Sequence, residues 1–526
     1  MKTHNSRRKF LKYMGLGSAG IAGIPTLVKA NHQSESTIPI NQPKAWFRNL
    51  AVESPDKSFT KKPIDVKVGI QPVSSTRVHK GSYEGPCRTG CDDCLSYEAE
   101  KGDSRRRAKE VQQLANKHLD KNIANIFPVA RVEFAEGDRL EQQYFDILGQ
   151  HASEVDLFVS NYRVPQIEEF KKPFAVPVAG VVNLDTTAYM RSLGLEGYAP
   201  YDWEEVNQLA RLIQARKAVY HTKILNVSNN PHRKPQGVYS SMTYQTLKNK
   251  FGIDYEVVNY KEFFSKIDEI RKTPSKKQQS DAIAQQLLDN AVKSNMSKKD
   301  ISLNIDFYLA TKELMKRYDC NAFSIKCFEL CNSQLPAEYN VVPCISNSLL
   351  KDEGYPGICE GDISAGIALM LSEYISRKSV YMGNPVYYKG ENKIRIHHSV
   401  WGKKLDGIDK PDVPYNIISF TEDRWGATLR YDTLQKKGET VTLSRMHPSG
   451  EKMLLTKGKI IDNMDTNKIG CANRTFISMK NEMELRDIHA NFGHHLAMVF
   501  GDYTKELKAL CQMMNVEVVE FENEYS

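Results

Sequence analysis

Short β-branched runs alternate with stretches of helical spacing along the first half of this chain. Residues 64–70 read as a strand, and Ser104 to Leu119 reads as a helix with Ala108, Val111, Leu114 and Ala115 apolar. Residues 123–129 and 155–160 are further short apolar runs, and the run at 174–184 is broken by Pro177. The alternation restarts at residues 223–227. A loop with Pro231, Pro235 and Gly237 follows, then a helix toward Phe251 and a strand entered near Ile253 and Tyr255. Residues 362–375 are helix-like, with Ile363, Ile367, Met370, Leu371 and Ile375 on one side. This rhythm predicts an α/β fold with mostly parallel sheets. Beyond about residue 380 the period changes to two, at Ile394/Ile396 and Val441/Leu443, with glycines at the turns. That pattern predicts an antiparallel β-rich part. A helix at 502–513 and a strand at 516–521 close the chain.

The 526 residues correspond to about three domains at ~150 residues each. The expected division is an N-terminal α/β domain at 63–184, a second α/β domain at 185–378 and a β-rich C-terminal domain at 379–526. Residues 31–62 form a polar linker carrying Trp46 and Phe47, and residues 1–30 stand apart as described next. With 40% hydrophobic residues the chain has material for true cores, which excludes a disordered or collagen-like polymer. No stretch approaches the ~18 consecutive apolar residues of a membrane span.

Net charge is +8, from 72 Lys and Arg against 64 Asp and Glu. Six of the basic residues (Lys2, Arg7, Arg8, Lys9, Lys12 and Lys29) lie in the first thirty positions, which hold no acid. Removing them leaves 66 against 64, a net of +2, and no basic stripe with interleaved aromatics supports nucleic-acid binding. The segment Ser6-Arg7-Arg8-Lys9-Phe10-Leu11-Lys12, a mild Gly/Ala-rich apolar stretch from Met14 to Val28 and the small residues around Ala30 resemble a bacterial twin-arginine (Tat) signal peptide. The resemblance implies export by the Tat translocase, cleavage near Ala30 and a periplasmic or extracellular mature protein. Tat substrates cross folded, so a metal can be loaded in the cytoplasm, away from Cu²⁺ and Zn²⁺ that outcompete Mn²⁺ in an open site.

Two motifs carry candidate chemistry. The first runs Gly354-Tyr355-Pro356-Gly357-Ile358-Cys359-Glu360-Gly361-Asp362 into an apolar helix. The second is Gly493-His494-His495, followed by Gly501-Asp502-Tyr503 and Glu506-Leu507. Together with Val68-Gly69-Ile70, Ile325-Lys326-Cys327 and the 394–398 segment, they resemble the L-fucose isomerase and L-arabinose isomerase superfamily over roughly residues 64–526. The resemblance implies two Rossmann-like α/β domains followed by a β-rich domain, a homo-oligomer, and a divalent metal, usually Mn²⁺. The implied activity is aldose–ketose interconversion of a sugar through an enediolate. Such chemistry needs a base to move a proton between adjacent carbons and a cation to polarise the carbonyl.

By resemblance, Glu360 is a metal ligand and acid/base group. Its place before a helix also suits a carboxylate by the helix dipole. Asp362 reads as that helix's N-cap. His495 is the expected histidine ligand. Adjacent side chains on a strand cannot both point the same way, so its neighbour His494 is expected as a substrate-binding or supporting group. One of His397 and His398 is expected to line the cavity, and His398 shares a face with Ile394 and Ile396. Fucose isomerase has a second acidic ligand 24 residues beyond its glutamate; here that count lands on Asn384, which can ligate through its carbonyl but cannot act as a base. Glu329 is a candidate substrate-binding group or substitute carboxylate, with a surface ion pair as the plain alternative.

All ten cysteines fall after residue 30. Cys87, Cys91 and Cys94 form a C-x3-C-x2-C cluster. Its spacing admits a disulfide, a Zn²⁺ site with a fourth ligand such as His79, an iron–sulfur cluster, or free thiols. Cys327, Cys331, Cys344 and Cys359 read as small buried thiols near the cavity. Two other functions compete with an exported isomerase: a non-catalytic periplasmic sugar-binding protein that kept the fold, and a metallo-redox protein built on the Cys87 cluster.

Overall fold

The computed structural model describes residues 61–78, 97–135, 139–178, 180–230, 238–464 and 467–523. The twin-arginine segment, Cys87, Cys91, Cys94 and His79 lie outside these residues.

The first sheet is parallel throughout. Strand Val68–Arg77 pairs on one side with Ala124–Ile126 and then Ala130–Phe134. On its other side it pairs with Leu157–Ser160, and the sheet continues through Phe174–Ala175 to Gly197–Tyr198. Val68, Ile70 and Val73 are fully buried, as expected for a parallel strand covered on both faces. The run at 64–70 is not one strand. Pro63, with its fixed φ, opens a 3₁₀ turn at Pro63–Asp65, and the strand begins only at Val68. Ile64 plugs the next layer instead, where its carbonyl accepts from Gln214 and Arg377. The expected helix at 104–119 starts earlier, as Tyr97–His118.

The second sheet is also parallel, in the order Gly357–Ile358, Ala322–Ile325, Lys223–Val227, Asp254–Val258. The strand order reverses between Lys223–Val227 and Ala322–Ile325, and the crevice outside the carboxyl ends of such strands is where α/β folds place ligands. Strand Gly357–Ile358, at the sheet edge beside Ala322–Ile325, ends on the same carboxyl side, directly in the turn Cys359–Gly361.

Helix Ile363–Ser376 leaves that turn and is buried on every side from Ile363 to Tyr374. Ile363, Ile367, Met370 and Leu371 pack toward the α/β layer, while Ala365, Ala368 and Leu369 pack on the C-terminal sheet. The one-sided stripe read from the sequence is therefore half of a two-sided contact. Each large apolar side chain buried in it contributes about 1.5–3 kcal/mol.

The C-terminal part is antiparallel and β-rich, as the period-two pattern implied. Its pairings run Thr440–Met446, Leu496–Phe500, Tyr381–Tyr388, Lys393–His398, Asn473–Ser478, Lys452–Asn463, and the last strand returns to pair with the first. The ladder thus closes on itself and leaves no open edge among these six strands. Strand Glu517–Glu520 adds in parallel beside Lys452–Asn463. No helix among the described residues is long and apolar enough to cross a membrane.

Candidate metal centre

Three chain segments converge where the second parallel sheet meets the closed antiparallel sheet. The turn after strand Gly357–Ile358 brings Glu360, in a left-handed backbone conformation (φ 56°, ψ 13°). A non-glycine residue rarely occupies this region, and strain of this kind gathers at functional sites. Strand Lys393–His398 brings its last residue, and the turn before strand Leu496–Phe500 brings His494 and His495.

Glu360 is the hub. Its Oε1 lies 3.1 Å from His398 Nε2, and its Oε2 lies 3.4 Å from His495 Nε2 and 3.6 Å from His494 Nε2. Glu360, His398 and His495 are buried, whereas the His494 side chain is 36% exposed and opens the cluster to solvent. The two histidines of the Gly-His-His motif thus both lean on one carboxylate. The alternation expected of a strand does not apply, because the pair precedes the strand.

His495 is fixed from behind. Its Nδ1 lies 2.9 Å from Asp362 Oδ2. Asp362 does cap the helix, accepting from the Ala365 amide at 3.2 Å, and it also anchors the fully buried Arg445, whose guanidinium reaches both its oxygens at 2.7 and 3.3 Å. Arg445 donates further to the carbonyls of Phe492 and His495 and to Ser240, so it ties the histidine turn to the helix start. Gly493 sits at φ 108°, and a Cβ there would run into the Ser240 hydroxyl. Sequence reasoning assigned Asp362 only a cap and missed Arg445. The available signal was register: Arg445 continues the face of Val441 and Leu443, where a charge on an apolar face needs a buried partner.

Burial alone would push the Glu360 carboxyl up, but its contacts with His398, His494 and His495 overcome this and hold it well below the usual range. Asp362 is lowered against burial by Arg445 and His495. Burial pushes His398 down, which favours the neutral imidazole that ligates metals. His495 moves the other way: burial is outweighed by Asp362 and Glu360.

This donor set fits a divalent ion. With Nδ1–H donating to Asp362, His495 Nε2 presents a lone pair toward Glu360 Oε2, and both atoms are buried without a hydrogen-bond partner among the described residues. Two acceptors facing each other at 3.4 Å call for a cation, either a proton or a metal. The gap is shorter than two metal–ligand bonds of about 2.0–2.2 Å laid end to end, so one ion can touch both. A carboxylate holding the rear nitrogen of a ligand histidine is the usual support in such centres. Two overlapping sets have the required closeness: Glu360 with His494 and His495, and Glu360 with Cys359 and His398.

The other expected residues fall elsewhere. Asn384 stands opposite His397 in the ladder, so it shares the face of His397, whereas His398 points to the other side. Its Oδ1 is buried without a partner among the described residues, and none of their hydrogen bonds joins it to the Glu360 cluster. Glu329 is held by the loop after strand Lys223–Val227, accepting from Ser228 Oγ at 2.7 Å, the Asn229 amide at 2.9 Å and Asn230 at 3.2 Å. Cys359 and Cys344 are buried as expected, but Cys327 is half-buried and Cys331 is exposed.

No protein-family model matches the chain. It is distantly similar to curated sulfoquinovose isomerases. Identity is 23% over 327 residues with that of Alkalicoccus urumqiensis, covering 60% of this chain and 69% of the other. With that of Priestia megaterium it is 22% over 326 residues (60% and 68%), and with that of a Clostridium species it is 20% over 345 residues (63% and 74%). None of these three is named for fucose or arabinose. What the similarity supports is distant homology to proteins named as sulfoquinovose isomerases.

Proposed function

We propose that this protein is an exported, metal-dependent aldose–ketose isomerase acting on a sugar or sugar derivative. The observation that carries this reading is the buried Glu360–His495 pair, whose unpaired Oε2 and Nε2 face each other beside His398 and His494. The distant similarity to sulfoquinovose isomerases supports the reaction class and makes sulfoquinovose the first substrate to try.

In this reading Glu360 and His495 hold the ion, with Mn²⁺ as the expected metal and His398 against the other oxygen of the same carboxylate. When bound, the ion would polarise the substrate carbonyl and hold the neighbouring hydroxyl. The remaining chemistry is proton movement between adjacent carbons, which needs a group within reach of both. A carboxylate held as low as Glu360 is a weak base alone. His494 Nε2, 3.6 Å away and open to solvent, is the group that can take the proton and return it. Asp362 and Arg445, both fully buried, position His495.

The test combines elemental analysis of the purified protein with incubation on sulfoquinovose and a panel of aldoses, read by ketose formation. Turnover is expected, and Glu360→Gln should abolish it. A metal-free protein that converts no sugar would remove the reading. The absence of an acid at Asn384, together with its lack of any bond to the cluster, favours a second function: a sugar-binding protein without turnover. Saturable sugar binding with no product would select it.

A further inference from the structure

The sulfur of Cys359 lies inside the donor cluster. Its Sγ is 3.9 Å from His398 Nε2 and 4.0 Å from Nδ1, and Cys359 is 1% exposed. With Glu360 and His398 it forms a fully buried set of three donors of three chemical kinds: sulfur, oxygen and nitrogen. A zinc ion bonds sulfur at about 2.3 Å and imidazole nitrogen at about 2.0–2.1 Å. Their sum, about 4.4 Å, exceeds the sulfur–nitrogen gap; the sulfur stands almost equally far from both ring nitrogens, so a single ion reaches both once the His398 ring turns Nε2 toward it. Glu360 Oε1, 3.1 Å from the same His398 nitrogen, completes the triad, while Oε2 of the same carboxylate is buried and unpartnered. Among the described residues no oxygen accepts from the sulfur, and Cys327 Sγ lies 3.9 Å from it.

We infer that Cys359 is a metal donor, and that the Cys359–Glu360–His398 triad takes a thiophilic divalent ion, Zn²⁺ or Co²⁺, with the sulfur bound as thiolate. On binding, the S–H bond breaks, the metal–sulfur bond forms, and one proton leaves to solvent; no electron is transferred. This inference rests on the reading of Glu360 as the hub of a metal centre and goes beyond it in the kind of ion the centre prefers. Glu360 with His495 is an oxygen and nitrogen pair that suits Mn²⁺. A thiolate on the other side of the same carboxylate moves the preference toward Zn²⁺ and Co²⁺.

The experiment uses the full chain carrying Cys87→Ser, Cys91→Ser and Cys94→Ser, so that no thiol of that cluster contributes. The protein is stripped with a chelator, kept reduced, and titrated with Co²⁺ alone. One tightly bound Co²⁺ with a near-ultraviolet thiolate-to-cobalt charge-transfer band is expected. Adding Cys359→Ser should remove the band and weaken Zn²⁺ binding by at least about ten-fold, with a smaller change for Mn²⁺. Adding Cys327→Ser instead should leave the band intact. Zinc K-edge absorption on the Cys359-containing protein needs no variant at the site and should show a sulfur neighbour near 2.3 Å. Bound Co²⁺ without the band, or a band that survives Cys359→Ser, overturns the inference and leaves the metal centre standing. Failure to bind Co²⁺ at all overturns both.

Discussion

Asp362→Asn separates a helix cap from a positioning role, because the cap and the His495 contact use different oxygens. Oδ1 accepts from the Ala365 amide at 3.2 Å, and Oδ2 faces His495 Nδ1 at 2.9 Å and Arg445 at 2.7 Å. An asparagine supplies one carbonyl and one amide. If its carbonyl replaces Oδ1, the cap survives but the amide faces His495. The imidazole must then accept at Nδ1 and carry its proton on Nε2, which removes the lone pair aimed at Glu360. If its carbonyl replaces Oδ2, the tautomer survives but the cap is lost, at about 1 kcal/mol. In either orientation the charge behind His495 disappears, and the buried Arg445 loses its only anionic partner among the described residues, at about 3–5 kcal/mol.

Loss of such a supporting carboxylate weakens metal binding by about 10–100-fold, or roughly 1.4–2.7 kcal/mol. Calorimetric titration of chelator-stripped protein with Mn²⁺ measures this, denaturant unfolding measures the stability loss, and nitrogen NMR of the histidines reports the tautomer. Asp362→Ser keeps a capping hydroxyl too short to serve His495 and should show the same loss of affinity. If folded Asp362→Asn binds metal as tightly as the parent, while His495→Ala does not, Asp362 is a cap and nothing more.

Three further outcomes follow from other parts of the molecule. Lys351 is fully buried, donates to the carbonyls of Val380 and Val400, and is pushed down to about 8 by burial. The unfolded chain therefore holds this proton more tightly than the folded one. Stability should rise as pH climbs from about 8 to 10, by roughly 3 kcal/mol for this group, and unfolding curves of Lys351→Met should lack that rise. Gly493→Ala places a Cβ against Ser240 at φ 108° and should cost about 1–3 kcal/mol in denaturant unfolding with loss of metal affinity; an unchanged variant would contradict the packing of this turn. Replacing Arg7 and Arg8 together by Lys should hold the protein in the cytoplasm by cell fractionation, and undiminished export would refute the twin-arginine reading.

What could be read from the sequence was set by how local each feature is. Strand Lys223–Val227 coincides with its apolar run, and helix Ile363–Ser376 falls within a residue of its periodic pattern, because a short-range period determines both. Glu360, His398, His494 and His495 were conspicuous because each sits in a compact segment with unusual residue types. Closure of the antiparallel sheet was not legible. It depends on Thr440–Met446 choosing both Lys452–Asn463 and the distant Leu496–Phe500 as partners, and alternation says which face is buried, not which strand lies alongside. The same limit hid the work of Asp362. Its cap is a three-residue relation visible in sequence, whereas its bonds to Arg445 and His495 span 83 and 133 residues. A cap needs one carboxylate oxygen, and a serine or threonine would have met that need. The second oxygen, buried and aimed at a histidine and an arginine, is what the cap leaves unexplained. It follows that the acid at this position is demanded by the histidine and the arginine it holds, with the helix cap as its smaller task.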